Sequence, residues 1–154
     1  MKYYLAYGSN LNVEQMERRC PDAKVLCYSA INDYRLIFRR GYLTIEPAED
    51  EEVPVIVWEI SDQDEKNLDR YEGFPRFYRK AVTKFKFYED GRRAKELEAM
   101  VYVMNEGFPA ELPSADYLRT VRDGYNYFSI DLNKLMNALI DTFDEVVKQK
   151  HTSI

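Results

Sequence analysis

The chain reads as a single α+β domain, a mixed β-sheet or small β-barrel with helices packed outside, and three observations predict it. Strand-like runs rich in Tyr, Val and Ile fill most of residues 3–60, a second pair of such runs lies between Tyr78 and Met104, and from Pro113 onward the apolar residues recur at three-and-four spacing. A parallel Rossmann sheet needs regular strand-helix alternation, which is absent between residues 24 and 60. The 154 residues, 45% hydrophobic and 32% charged, suit one domain over 1–154 with a core large enough to need no staples. No low-complexity linker or internal repeat divides the chain.

The first strand runs from Tyr3 to Tyr7 and stops at a Gly8-Ser9-Asn10 turn. Asn12 followed by Gln15 has the form of a helix N-terminal cap, and the helix from Val13 to about Cys20 is stopped by Pro21. Strands are expected over Lys24–Ala30, Tyr34–Phe38, Leu43–Glu46 and Val53–Ile60. Glu49-Asp50-Glu51-Glu52 is expected as an exposed, charged hairpin turn between the last two. Ser61 and Asp64 form a second capping pair for a helix carrying Asn67, Leu68 and Tyr71 toward Glu72, ended by Gly73 and kept from restarting by Pro75. Two further strands, Tyr78–Tyr88 and Leu97–Met104, are joined through Glu89-Asp90-Gly91-Arg92, whose Asp-Gly pair suits a hairpin turn. Pro113-Ser114 opens a helix through Tyr117, Leu118 and Val121. Asp131 opens the last, with Leu132, Leu135, Met136, Leu139, Ile140, Phe143 and Val147 on its apolar stripe.

Composition removes several classes of function. A net charge of −5 argues against a general nucleic-acid binder, which needs a basic surface to displace counterions from phosphates. Arg39-Arg40 and Arg92-Arg93 read as solvated turns. Cys20 and Cys27 make no Cys-x-x-Cys motif and cannot form a zinc site alone. The only histidine, His151, is expected in a frayed tail, which nearly excludes His-based acid/base chemistry. Neither a long apolar stretch nor a signal-peptide pattern appears, so a soluble, cytoplasmic protein without membrane contact is expected. Thirteen Tyr and eight Phe supply rigid surfaces with polar tips, suited to lining a pocket or to finishing a core.

Two segments can carry chemistry. At Tyr7-Gly8-Ser9-Asn10-Leu11 a strand meets a helix start, so backbone N–H groups can converge on one point and favour an anion there. The same residues also suit a plain tight turn. At Leu68-Asp69-Arg70-Tyr71-Glu72-Gly73 a carboxylate sits at a helix end among aromatics, where desolvation would raise its pKa toward neutrality. A solvated Glu beside a C-terminal glycine is the plain alternative. Ser9 has no histidine within a plausible triad, and Gly8 lacks the Lys and further glycines of a phosphate loop.

Taken together, the two segments resemble the γ-glutamylcyclotransferase family, including its plant AIG2-like branch. The family's Tyr-Gly-Ser-Asn-Leu loop is matched by Tyr7 to Leu11, and its Leu-Asp-x-x-Glu-Gly segment, after a Trp-containing strand, by Trp58 and then Leu68 to Gly73. Thr44-Ile45-Glu46-Pro47, the strand around Tyr102, and Pro113-Ser114 followed by Tyr117 extend the resemblance over nearly the whole chain. It implies a cofactor-free enzyme acting on a small γ-glutamyl substrate, whose own α-amine attacks its γ-carbonyl to release 5-oxoproline and an amine, amino acid or peptide. By the same resemblance Glu72 is the general acid/base. Tyr7, Gly8, Ser9, Asn10 and Leu11 bind the glutamyl end, and Tyr78, Tyr102 and Tyr117 line the pocket, where core filling is an equal reading for each tyrosine.

Phe74-Pro75-Arg76-Phe77 is bulkier than the small-residue version of some members, which leaves the leaving group open. Arg76 and Arg79 either meet an acidic substrate end or are merely solvated. The alternative function is a non-catalytic binding module for glutamyl or other small carboxylate ligands. A third reading uses the stripe from Leu132 to Val147 as an interaction surface, so that both monomer and homodimer are compatible with the sequence.

Overall fold

The computed structural model describes residues 1–89, 91 and 93–152. Five strands, β1 (Lys2–Ala6), β2 (Lys24–Arg39), β3 (Tyr42–Ile60), β4 (Tyr78–Tyr88) and β5 (Ala94–Met104), form one sheet in the order β2-β3-β1-β5-β4. All neighbours are antiparallel except β1 and β5, which run parallel with Tyr4 opposite Met100. Among the described residues four α-helices accompany the sheet: α1 (Val13–Arg19), α2 (Asp62–Tyr71), α3 (Ala115–Tyr127) and α4 (Asn133–Thr152). The expected mixed sheet with outer helices is therefore what the chain builds.

The sheet curls toward a barrel through side chains. The Tyr78 hydroxyl donates to the Leu43 carbonyl at 2.8 Å, and the Met104 N–H donates to Thr44 Oγ1 at 2.9 Å. These bonds draw the β2–β3 hairpin over the β4–β5 hairpin and leave a hollow between them.

Two pairs of expected strands are single long ones. Lys24–Ala30 and Tyr34–Phe38 are both parts of β2, and Leu43–Glu46 and Val53–Ile60 are both parts of β3. The acidic run from Glu49 to Glu52 is accordingly not a hairpin turn but part of β3, lying against an irregularity of β2. Asp33 and Asp50 both take positive φ (63° and 64°), the register shifts between Asn32 and Tyr34, and the Asp50 N–H donates to Asp33 Oδ1 at 3.1 Å. The true reversal lies at Arg40-Gly41, where φ is 53° and 82°. Arg40 is an exposed turn residue as expected, but Arg39 is not merely solvated, since it pairs with Glu46 and Glu145. The turn expected at Glu89-Asp90-Gly91-Arg92 falls partly on Asp90 and Arg92, which lie outside the described residues, as does Arg92 of the Arg92-Arg93 pair.

The helix starts follow the local signals. Ser61 and Asp64 make both bonds of a capping box, each 3.1 Å. Asn12 caps α1 by accepting from the Gln15 N–H, whereas the reciprocal bond from the Gln15 side chain is not made. Ser114 caps α3 through the Tyr117 N–H, and α3 continues six residues past Val121 to Tyr127. His151 lies in the last turn of α4 rather than in a frayed tail. α4 docks on β2 through Thr142, whose hydroxyl accepts from the Phe38 N–H at 3.0 Å and donates to the Ala138 carbonyl at 2.6 Å. Leu135 and Ala138 are buried in the core, while Met136, Ile140, Phe143 and Val147 face outward, so the apolar stripe is only half used against the sheet. No helix among the described residues is long and apolar enough to cross a membrane.

Candidate active site

The hollow between the curled hairpins is a cleft of about 880 Å³, walled by the end of β1, the following turn, the β2–β3 reversal, the end of α2, β4, β5 and the start of α3. Its floor is the turn after β1. Ser9–Leu11 form a 3-10 turn closed by Leu11 N–H to Gly8 O and Asn12 N–H to Ser9 O, both 3.0 Å. The N–H groups of Gly8, Ser9 and Asn10 precede these bonds and find no protein acceptor among the described residues. The turn is brought close to α3 by Gly124, where a Cβ would lie 2.6 Å from the Leu11 carbonyl carbon.

Glu72 ends α2. Its N–H bonds to the Leu68 carbonyl at 2.8 Å, and Gly73 follows with φ of 64°, which turns the chain sharply out of the helix and leaves Glu72 on the cleft wall. Burial of the carboxyl pushes its pKa up to about 7, and the Arg19 guanidinium opposes that rise. Asn10 Nδ2 approaches Glu72 Oε1 at 3.4 Å and donates to the Tyr4 hydroxyl at 2.8 Å. The strand-end turn and the helix-end carboxylate, 62 residues apart in sequence, thus meet in one place.

The tyrosines divide by where their protons go. Tyr7 donates to the Tyr102 carbonyl at 2.6 Å, Tyr78 to the Leu43 carbonyl at 2.8 Å, and Tyr102 to Asp69 Oδ1 at 2.6 Å, so these three hydroxyls brace the cleft wall. Tyr117 accepts from the Leu43 N–H at 3.1 Å, and Tyr4 accepts from Asn10; for neither hydroxyl proton is an acceptor found among the described residues. Burial raises the pKa of all five, which keeps them protonated at neutral pH.

Of the residues expected at the site, Tyr7, Gly8, Ser9, Asn10, Glu72, Tyr78, Tyr102 and Tyr117 line the cleft. Leu11 does not. Its side chain is fully buried in the core and its N–H is spent on Gly8, so it anchors the turn from behind. Arg76 is exposed, and Arg79 donates to the Met104 carbonyl; neither lines the cleft. Tyr4, Gln15, Arg19, Tyr42 and Tyr71 also line the cleft, although no motif in the sequence assigns them to it. Arg19 was within reach of a pattern argument, since it follows Gln15 by four residues and shares its helix face. Tyr4 required knowledge that β1 pairs with β5, which sets its ring edge-on to Tyr102 at 5.8 Å.

Residues 4–123 match the family model described as gamma-glutamyl cyclotransferase, AIG2-like. The chain belongs to this family. A gamma-glutamylcyclotransferase of Mus musculus is 24% identical over 173 aligned positions, covering 98% of this chain and 90% of that protein. One of Homo sapiens is 32% identical over 81 positions, 46% of this chain and 43% of that protein. Among solved structures, a gamma-glutamyl cyclotransferase at 25% identity superposes with a TM-score of 0.71 over 89% of this chain and 85% of its own. An AIG2-like protein of Mus musculus, at 16% identity and a TM-score of 0.56, shares the fold over 77% of this chain. In this member of the gamma-glutamyl cyclotransferase, AIG2-like family, both the Tyr7–Leu11 turn and Glu72 fall inside the matched span, whereas α4 lies beyond it.

Proposed function

We propose that the protein is a cofactor-free cyclotransferase that releases 5-oxoproline from a γ-glutamyl amine, amino acid or peptide. The observation that supports this best is Glu72, a carboxyl pushed up to about 7, set on the cleft wall 3.4 Å from the amide of Asn10 in the Gly8–Asn10 turn. A group of that pKa exchanges protons efficiently near neutral pH.

In this reading the substrate's α-carboxylate takes the N–H groups of Gly8, Ser9 and Asn10, and Glu72 faces its α-ammonium. The ionised Glu72 removes one proton, and the freed amine attacks the γ-carbonyl of the same molecule. As the bond from that carbonyl carbon to the leaving nitrogen breaks, Glu72 gives its proton to the departing nitrogen. The second proton shed when the attacking nitrogen becomes an amide passes through Glu72 and cleft water to the product amine. The reaction is intramolecular, so holding the substrate bent is a large part of the catalysis. Tyr78, Tyr102 and Tyr117 supply that shape, the first two as rigid wall and Tyr117 with a hydroxyl still able to donate to a developing oxyanion.

Incubation with glutathione, γ-glutamyl amino acids and γ-glutamyl-lysine tests the proposal. Wild type should yield 5-oxoproline from at least one of them, and Glu72→Gln from none while keeping its fold. Binding of glutamate or 5-oxoproline with no turnover of any of these compounds would instead favour a carboxylate-binding module.

A further inference from the structure

The Arg19 guanidinium opposes the rise of the Glu72 pKa, yet it makes no ion pair with Glu72 among the described residues. Its Nη1 donates to Asn10 Oδ1 and, at 3.3 Å, to Ser9 Oγ, while its carbon lies 3.1 Å from the centroid of the Tyr71 ring. Asn10 is 2% exposed and stands between cation and carboxyl, so its amide has two ways to point and only one that is satisfied. With Oδ1 on Arg19, the NH2 group reaches both Glu72 Oε1 and the Tyr4 hydroxyl. Flipped, the NH2 would face the guanidinium, donor against donor, and Oδ1 would face the carboxylate.

We propose that Arg19 is a positioning residue of this site: it clamps Oδ1 of Asn10, which commits the Asn10 NH2 to Glu72 and to the Tyr4 oxygen and so turns the Tyr4 O–H toward the cleft as a further donor. The role of Tyr4 as a donor to substrate rests on the cyclotransferase reading; the clamp itself does not. Arginine suits the task because one guanidinium binds two oxygens and stacks on a ring at once, which a lysine ammonium cannot do. Asn10 also acts as a spacer. A direct Arg–Glu pair would hold the carboxyl well below neutrality, whereas an intervening amide passes on only part of the positive field.

Among the described residues, the ionisable groups whose pKa responds to the Glu72 charge are Arg19 of α1, Tyr4 of β1, Tyr7 just after it, Tyr78 of β4, Tyr102 of β5 and Tyr117 of α3. Burial holds the tyrosines neutral, so Arg19 is the charged member of this set, and its removal has a defined sign. Without it Glu72 should titrate at higher pH.

Two measurements test the clamp. In the first, the side-chain amide resonances of Asn10 are followed by NMR through a pH titration without substrate. In wild type they should shift with a midpoint near that of Glu72. The response should vanish in Glu72→Gln and lose its single well-defined midpoint in Arg19→Met. An Asn10 amide insensitive to pH in wild type, or unchanged by Arg19→Met, would overturn the proposal whether or not the protein turns over γ-glutamyl compounds.

In the second, kcat for 5-oxoproline release is measured against pH. Arg19→Met should lower kcat by about 10²-fold, the scale of a catalytic group displaced by an ångström, and should move the acid limb upward. Arg19→Lys, which keeps the charge and preserves the fold if Met does not, should leave the limb near its wild-type position and still fail to restore the rate. Full activity in Arg19→Lys would show that charge alone matters and would sink the positioning role.

Discussion

Replacing Glu72 by Gln should make the folded protein more stable at alkaline pH while removing its proposed chemistry. In the unfolded chain the carboxyl titrates at its ordinary value of 4.5, and in the cleft at about 7, so the folded protein holds the proton more tightly. Between those values the native state binds more protons than the unfolded one, and stability falls as pH rises through the window. Above about pH 7 the whole penalty is present; below 4.5 none of it is. A difference of this size corresponds to at most roughly 3–4 kcal/mol at 1.36 kcal/mol per pKa unit, an upper bound because the cleft side of the carboxyl meets water that screens it. Gln is isosteric, has no charge to desolvate and keeps an oxygen for the Asn10 amide. Urea unfolding of both proteins from pH 4 to pH 9 should therefore show curves that coincide at the acid end and separate in favour of Glu72→Gln above neutrality. Equal stability of the two at pH 8.5, or a less stable Gln variant there, would refute the claim that burial raises this carboxyl.

The same titration predicts that kcat/KM for 5-oxoproline release rises with pH through about 7, because the ionised form must take the first proton. A profile flat from pH 5.5 to 8.5 would remove Glu72 from that role. Gly124→Ala would gain about 1 kcal/mol in an isolated helix, but here its Cβ would press on backbone atoms of Leu11 and Asn12 at 2.6 and 2.8 Å. We expect a net loss of about 1–3 kcal/mol by thermal unfolding together with loss of activity from the displaced turn. A more stable, fully active variant would contradict it. Thr142→Val should cost about 1–3 kcal/mol in urea by orphaning the buried Phe38 N–H, and Thr142→Ser should recover most of it.

What the sequence revealed and what it hid follow the range of the interactions concerned. Ser61-Asp64, Ser114 and Gly73 act within a few residues of themselves, so their caps and stops were legible from spacing alone. The Glu49–Glu52 run was misread because its charge resembles a turn, whereas its place in β3 depends on a partner strand and on the irregularity shared by Asp33 and Asp50. Tyr4 and Arg19 escaped for the same reason. One reaches the cleft through a parallel pairing with β5, and the other by the packing of a seven-residue helix back onto the turn that precedes it. The Tyr7–Leu11 turn and Glu72 stand out in the sequence only as a joint pattern, which the fold brings together at Asn10, while Leu11 is buried behind the turn. A motif residue can anchor a turn from behind rather than meet a ligand.

The tyrosines of the cleft divide into an inner, hydrogen-bonded frame and an outer rim held by ring contacts. Tyr7, Tyr78 and Tyr102 tie β1, β4 and β5 to Leu43, to Asp69 and to each other, so changing any of them alters the frame that holds Glu72. The outer rim is built differently. Tyr42 and Tyr71 are exposed, Arg40 is carried on a positive-φ reversal, and Tyr42 meets Phe77 and Tyr117 through ring edges at 5.8 and 5.1 Å rather than through buried hydrogen bonds. Edge contacts between rings are worth about 0.5–1.5 kcal/mol and tolerate repacking, whereas a buried hydroxyl left unpaired costs more and tolerates nothing. On the proposed cyclotransferase reading, the glutamyl half of a substrate would meet a wall that cannot vary without loss of the cleft's frame, and the leaving-group half one that can. Under that proposal a single cyclisation mechanism would serve different leaving groups, with Phe77 and the Arg40–Tyr42 reversal, which line the cleft, as the places where the choice is set.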